Sequence, residues 1–339
     1  MLARALATLA FVFVLAQPVT AQEVTLRLHQ FLPAQSYVPA EILDPWADRI
    51  EAASNGRIKI ERFASMQLGG KPADLVDQLV DGVVDIIWTL PGYTPGRFPR
   101  TEVFELPFLL SDAEGASRAF WQVAEAEMSD TDFKDMHILG TWVHGPGVIH
   151  SSRPVQALED MAGLRLRAPT RITAQLLERL GAVAIGMAVP AVPEALSKGV
   201  IDGALLPWEV TSSIRAAELV YNHTEFPGRA IYAATFILAM NTDRYAGLPP
   251  DLRAIIDAES GAAFSAMAGR MQQGADAPMR AEAVAAGNTV TVLSEAEATR
   301  WQAASEPVVA KWLADMAAAG IDGAGLLDRA KAALAANGG

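Results

Sequence analysis

Strand and helix patterns alternate along the chain, and this alternation restricts the fold more than any other feature of the sequence. Residues alternate as a strand over Val24–His29, apolar residues recur at helical spacing over 42–50, and a second strand follows at 58–60. A second helical stripe at 75–80 leads to a third strand at 85–88. Such strand-helix-strand units are typical of α/β proteins.

The same order returns in the second half of the chain, although no residue-level repeat accompanies it. We predict a strand at 164–167, a helix at 173–180 that ends at Gly181, and a further strand at 200–207. The long apolar stretch 234–240 predicts a strand that returns the chain to the first half. The sequence therefore predicts two α/β units with more than one crossing between them.

The N-terminus has the pattern of a secretory signal peptide. Arg4 precedes an apolar run from Ala5 to Ala16, and Val19-Thr20-Ala21 is a small-x-small cleavage pattern. An apolar run of this length is shorter than the ~20 residues that a membrane-spanning helix needs. We therefore expect cleavage after Ala21 and a mature protein without direct membrane insertion.

The length that remains after cleavage predicts two lobes. The mature chain has 339 minus 21, or 318, residues, which is more than one hydrophobic core usually contains. We assign 22–142 and 231–270 to lobe I, and 143–230 and 271–339 to lobe II. The alanine-rich helical pattern from residue 252 onward predicts a C-terminal layer that joins the lobes.

Charge and cysteine content exclude several functional classes. The chain has 27 basic and 39 acidic residues, and loss of Arg4 leaves the mature protein at 26 minus 39, or −13. A protein so acidic repels nucleic acid, and an anion would need local positive charge in a cleft. The chain contains no cysteine, so neither disulfides nor thiolate metal sites are possible.

Catalytic signatures are missing from the sequence. It contains no Gly-x-Ser-x-Gly, His-Glu-x-x-His, Walker or Gly-x-Gly-x-x-Gly motif. His144 and His150 flank Gly145-Pro146-Gly147 without a third metal ligand nearby, which favours a structural loop. A secreted enzyme that uses one of these histidines with Glu209 is the alternative. We expect neither an enzyme nor a bound cofactor or metal.

Two arginines lie close together in the strand predicted at 164–167. Alternation places Arg165 and Arg167 on one face, and Pro169 ends the strand. A guanidinium can bind a carboxylate edge-on through two hydrogen bonds. The alternative is a solvated or ion-paired strand face. From these residues alone, an anion site is a hypothesis.

Eight short segments, in order along the chain, resemble a known family. They are Gly56–Ile58, Met66–Gly69, Val80–Asp85, Glu105–Leu109, Gly163–Pro169, Leu180–Ala182, Lys198–Gly203 and Met240–Asn241. Together they resemble the DctP-type extracytoplasmic solute receptors of tripartite ATP-independent periplasmic (TRAP) transporters. The resemblance covers nearly all of the mature chain.

This resemblance implies a two-lobed periplasmic protein that closes a cleft around an organic acid and delivers it to membrane permease subunits. The arginine that pairs with the ligand carboxylate in this family corresponds to Arg167, whereas Arg165 occupies a peripheral position. A receptor that serves a sensor kinase instead of, or as well as, a transporter is an alternative.

Departures from the family indicate the kind of acid. Receptors for sugar acids such as sialic acid often carry polar residues at four positions, whose nearest equivalents here are Phe31, Leu90, the stretch 147–149 and Leu206. Apolar side chains replace those polar ones, and an unpaired hydroxyl against them would cost about 1–3 kcal/mol. Other candidate ligand contacts are Trp88, Thr89, Tyr93, His144, Val189, Trp208, Glu209 and Asn241, with His29 and His150 as further polar candidates.

We therefore expect a monocarboxylate with an apolar or aromatic body. Its carboxylate would bind Arg167, and its body would pack among Phe31, Trp88 and Trp208. A C4-dicarboxylate or a hydroxy or sugar acid is the alternative ligand.

Overall fold

Two β-sheets form the centres of two lobes in the computed structural model, which describes residues 22–339. The predicted signal peptide, 1–21, with its cleavage after Ala21, lies outside the described residues. Within residues 22–339, no helix is both long and apolar enough to cross a membrane.

Eleven strands build these two sheets within the described part of the chain. They are β1 (Val24–His29), β2 (Ile58–Phe63), β3 (Ile86–Thr89), β4 (Met136–Val143), β5 (Val148–Ser151), β6 (Arg165–Ala168), β7 (Val183–Gly186), β8 (Gly203–Leu206), β9 (Asn222–Glu225), β10 (Thr235–Asn241) and β11 (Thr289–Val292). The first sheet has the order β2-β1-β3-β10-β4, and the second has the order β11-β9-β5-β8-β6-β7.

Twelve α-helices surround the sheets in residues 22–339. They are α1 (Asp44–Ala53), α2 (Leu75–Val80), α3 (Ala113–Glu127), α4 (Arg171–Arg179), α5 (Val192–Ser197), α6 (Glu209–Ser213), α7 (Thr242–Ala246), α8 (Pro250–Ala258), α9 (Ala262–Gly274), α10 (Asp276–Ala285), α11 (Glu295–Ala318) and α12 (Gly323–Asn337). Parallel pairing of β1 with β2 and β3, and of β6 with β7 and β8, confirms the predicted α/β class.

Strand β10 returns the chain to the first sheet, as its apolar sequence predicts. It lies antiparallel between β3 and β4, and its residues from Thr235 to Met240 are all buried. A strand covered on both faces has to be apolar at nearly every position, so its sequence shows no alternation.

The C-terminal helices contact both lobes. Helix α11 packs on α4 beside the second sheet, whereas α9 and α12 pack on α3 beside the first. The apolar face of α12 at Leu326, Leu327, Ala330 and Leu334 is buried. The C-terminal end of α12 approaches α3 closely at Gly115, because Gly115 has no side chain. A Cβ atom there would lie 2.4 Å from the Asn337 carbonyl oxygen.

Two segments that connect the sheets run side by side between the lobes. One is 144–147, between β4 and β5, and the other is 226–234, between β9 and β10. The Gly147 N–H donates to the Tyr232 carbonyl at 3.1 Å, and the Ala234 N–H donates to His144 Nε2 at 2.9 Å. These bonds hold the two connections together.

Gly147 leaves room for the ring of Tyr232. A Cβ atom at this position would lie 2.0 Å from Tyr232 Cε1. We predict that Gly147→Ala displaces the ring and destabilises the protein by about 1–3 kcal/mol, because overpacking forces side chains out of their preferred positions.

Urea unfolding of the mature protein measures this loss of stability. Gly186→Ala is the matched control, because a Cβ atom at Gly186 in β7 meets nothing within 4 Å. Equal midpoints for Gly147→Ala and the control would contradict the close contact with Tyr232.

Candidate functional site

The two arginines of β6 have different environments. Arg165 is partly exposed, and its guanidinium forms a two-bond ion pair with Asp202, with distances of 3.0 Å from Nε and 2.5 Å from Nη2. Arg167 is only 2% exposed. The ion-paired alternative therefore applies to Arg165 and not to Arg167.

Backbone carbonyls hold the Arg167 side chain in place. Nε donates to the Met187 carbonyl at 3.0 Å, and Nη1 donates to the Leu205 carbonyl at 2.9 Å. Nη2 is buried and has no partner, and no described carboxylate lies within ion-pair distance of this guanidinium. A buried charge without a counter-ion is costly, so the arrangement favours an anion at Nη2.

Arg167 lines a cavity between the lobes. The cavity lies where parallel strands of both sheets end, since Phe31 follows β1, Leu90 follows β3, Pro169 follows β6 and Pro207 follows β8. Ligand crevices of α/β sheets lie outside the carboxyl ends of the strands. Its other lining residues are Leu32, Trp88, Tyr93, His144, Val189, Leu206, Glu209, Val210, Tyr232, Ala234, Phe236 and Gln272.

Stacked aromatic rings form one wall of the cavity. Trp88 stacks on Phe31 with centroids 4.7 Å apart and on Phe236 with centroids 5.4 Å apart, at interplanar angles of 17° and 18°. The ring of Tyr93 meets Phe31 edge-on at 5.5 Å. Packed together, these rings make this wall of the cavity apolar, which favours a ligand with an apolar body.

His144 is neutral in this environment. Its Nε2 accepts from the Ala234 N–H, so the proton is on Nδ1, which donates to the Gly145 carbonyl at 2.5 Å. Burial, assisted by the positive charge of Arg167, lowers the pKa of His144 to about 4. Both ring nitrogens are therefore occupied within the protein.

Three further polar atoms of the cavity wall are buried without a partner. They are Trp88 Nε1, Glu209 Oε1 and the Tyr232 hydroxyl. By contrast, the Tyr93 hydroxyl accepts from the Val189 N–H at 3.1 Å, which joins the two lobes across the cavity. Burial raises the pKa of Glu209 to about 7, and its other oxygen accepts from Gln272.

Nine of the twelve predicted ligand residues line this cavity, and Trp208, Thr89 and Asn241 do not. The indole of Trp208 turns away and donates to Glu225 at 2.8 Å, because Pro207 and Glu209 occupy the cavity side of this turn. Strand alternation places Thr89 on the face opposite to Trp88. Asn241 ends β10 at its far end, where its side chain caps α7 and donates to the Leu79 carbonyl.

The two further histidine candidates also lie elsewhere. His29 contacts Gln78 at 2.8 Å, and its pKa is lowered by burial. His150 is buried against His223, with the two Nδ1 atoms 2.7 Å apart. Among residues 22–339, no group of three His, Cys, Asp or Glu side chains is placed to hold a metal ion.

Eight of the 17 lining residues were missing from the sequence prediction, among them Tyr232, Ala234, Phe236 and Gln272. Tyr232, Ala234 and Phe236 alternate along the extended chain that enters β10, so their shared face was a usable signal. Gln272 lies on α9, far along the chain, and no motif marks it.

Comparison with known proteins places this architecture in a family. The family described as "Bacterial extracellular solute-binding protein, family 7" (DctP) matches residues 30–315. A TRAP solute-binding protein from Rhodoferax ferrireducens T118, solved with copurified benzoate, is 48% identical, with 93% of this chain and 98% of that chain covered and a TM-score of 0.91.

Two other solved structures are also similar. A TRAP solute-binding protein from a marine metagenome, specific for aromatic acid ligands and solved with 3-hydroxybenzoate, is 41% identical over 94% of this chain and 99% of that one, with a TM-score of 0.91. A Bordetella bronchiseptica protein with bound mandelate is 29% identical over 91% and 98%, with a TM-score of 0.84. This chain belongs to the DctP family of extracytoplasmic solute-binding proteins, the receptors that deliver small-molecule ligands to the membrane permease of a TRAP transporter.

Proposed function

We propose that this receptor binds an aromatic monocarboxylate whose carboxylate pairs with Arg167. The observation that carries the proposal is the free Nη2 of a buried guanidinium in a cavity with a stacked aromatic wall. Hydrogen bonds between ions in a buried site are about twice as strong as neutral ones. Transfer of a flat ring from water to the wall adds ~25 cal/mol per Å² of apolar surface.

The Tyr232 hydroxyl is the natural second contact for the carboxylate. It is buried without a partner, and the positive charge of Arg167 acts on it, lowering a phenol pKa that burial raises. A phenol that keeps its proton donates a hydrogen bond to an anion. Arg167 and Tyr232 would thus hold the carboxylate from β6 and from the connection that leads into β10.

Contacts across the cleft support closure around the ligand. Arg171 of α4 makes two hydrogen bonds to Glu102 of the first lobe, at 2.9 Å and 2.5 Å, and a bond to Asp315 of α11 at 2.7 Å holds the same guanidinium within the second lobe. The Arg171–Glu102 contact and the Tyr93–Val189 bond join the two lobes. Ligand contacts to both lobes would add to them and favour the closed form.

A dicarboxylate fits this cavity less well. Arg167 is the one lysine or arginine among the described lining residues. A second carboxylate would have no counter-ion and would lie near Glu209 or the aromatic wall, at a cost of several kcal/mol. The relatives solved with benzoate, 3-hydroxybenzoate and mandelate support the same ligand class for this chain.

The role of Arg167 can be tested with benzoate and the mature protein. We predict that Arg167→Lys weakens benzoate binding about 10- to 100-fold, because a charged hydrogen bond contributes ~1.5–3 kcal/mol and an ammonium cannot reproduce the guanidinium geometry. Isothermal titration calorimetry measures the dissociation constants.

Arg165→Lys is the matched control, because Arg165 lies two residues away on the same strand and is already paired with Asp202. Its benzoate affinity should equal that of the wild type within about twofold. Equal affinities of Arg167→Lys and wild type would contradict the proposal, as would equal losses in both variants.

The raised pKa of Glu209 predicts pH-dependent binding. Below about 7 this buried carboxyl is neutral, whereas benzoate, an ordinary carboxylic acid, is ionised from pH 6 upward. Above the pKa, the Glu209 charge would repel the ligand carboxylate in the same cavity. We therefore predict that benzoate affinity falls between pH 6 and pH 9.

Glu209→Gln removes the charge of Glu209 and so isolates its effect on the pH dependence of benzoate affinity. Asp276 accepts from the Glu209 N–H at 2.8 Å and, with a pKa raised by burial to about 8, titrates in the same range. Tyr37 also responds to the charge of Glu209. By calorimetry, the benzoate affinity of Glu209→Gln should change much less between pH 6 and pH 9 than that of the wild type. An equally steep profile would assign the pH dependence to a group other than Glu209.

A further inference from the structure

A chain of buried hydrogen bonds ends at the cavity wall. Trp142 Nε1 donates to Gln272 Oε1 at 2.9 Å, and Gln272 Nε2 donates to Glu209 Oε2 at 2.9 Å. Trp142, Gln272 and Glu209 are each at most 2% exposed. The chain thus connects the first lobe, through α9, to the start of α6 in the second lobe.

The first donor determines the direction of the whole chain. An indole N–H can only donate, so the oxygen of Gln272 must face Trp142, and its amide nitrogen must face Glu209. Glu209 Oε2 is therefore an acceptor, which in a neutral carboxyl group is the carbonyl oxygen. The proton of neutral Glu209 is then on Oε1, the atom that is buried without a partner.

Arg167 and Glu209 are held by different partners in the cavity wall. The Arg167 guanidinium donates to the Met187 and Leu205 carbonyls, whereas Glu209 accepts from Gln272. Within residues 22–339 the two side chains form no ion pair with each other, so Glu209 Oε1 is free to contact a part of the ligand other than its carboxylate.

We propose that Glu209 Oε1–H donates a hydrogen bond to an oxygen on the ring of the ligand, so that the receptor selects hydroxylated aromatic monocarboxylates over unsubstituted ones. This inference rests on the proposed function and adds a specificity-determining residue to it. A site built to hydrogen-bond a ligand hydroxyl discriminates against an analogue that lacks it, because the buried protein group is then left unpaired.

Two substitutions at Glu209 separate its hydrogen bond from its charge and shape. In Glu209→Gln, the amide oxygen accepts from Gln272 and the amide N–H points to the cavity, so the donor remains. In Glu209→Leu, the donor is lost. Calorimetric titration of the mature proteins at pH 6 with benzoate and with 2-, 3- and 4-hydroxybenzoate gives the ratio of benzoate to hydroxybenzoate dissociation constants for each.

We expect at least one hydroxy isomer to bind the wild type about three- to tenfold more tightly than benzoate, as one net hydrogen bond of ~0.5–1.5 kcal/mol implies. Glu209→Gln should keep this ratio, and Glu209→Leu should reduce it to about one. Circular dichroism confirms that each variant is folded.

Three results would overturn the inference while leaving the proposed function in place. They are no tighter binding by any hydroxy isomer, a preference that persists in Glu209→Leu, and equal losses of benzoate and hydroxybenzoate in that variant. The last would place Glu209 at the carboxylate end or in a structural role. If wild type bound none of the four acids, the proposed function itself would fail.

Discussion

The unpaired positive charge of Arg167 is the constraint on which the site depends. Its guanidinium is 2% exposed and is held by the carbonyls of Met187 and Leu205, which are neutral acceptors. Neutral acceptors position the charge without cancelling it, and a buried charge without a counter-ion is unfavourable. In the proposed function, a ligand carboxylate that enters the cavity supplies the missing counter-ion.

The rest of the cavity favours the class of anion that we propose. Stacking of Phe31, Trp88 and Phe236 gives an apolar wall, and no second cation lines the described part of the cavity. Residues of both lobes and of the two connections meet around the same space. Gly147 permits the close approach of Tyr232, which brings the phenol to the cavity. In the proposed function, recognition and lobe closure therefore use the same contacts.

Local sequence patterns predicted the elements well. Period-two alternation located β1, β2 and β6, and the family-like segment drew attention to Arg167, which the structure places in the cavity wall, because such patterns depend on neighbouring residues. Trp208 was misplaced because a turn after a strand can direct a side chain to either side. Gln272 and the docking of α12 on α3 depend on contacts between distant segments, and no local pattern encodes these.

A crystal structure of the mature protein with benzoate would show what occupies the space beside Arg167. We predict a carboxylate oxygen within hydrogen-bond distance of Arg167 Nη2, with the ring against the wall formed by Phe31, Trp88 and Phe236. A carboxylate bound elsewhere, with Nη2 still unpaired, would contradict it.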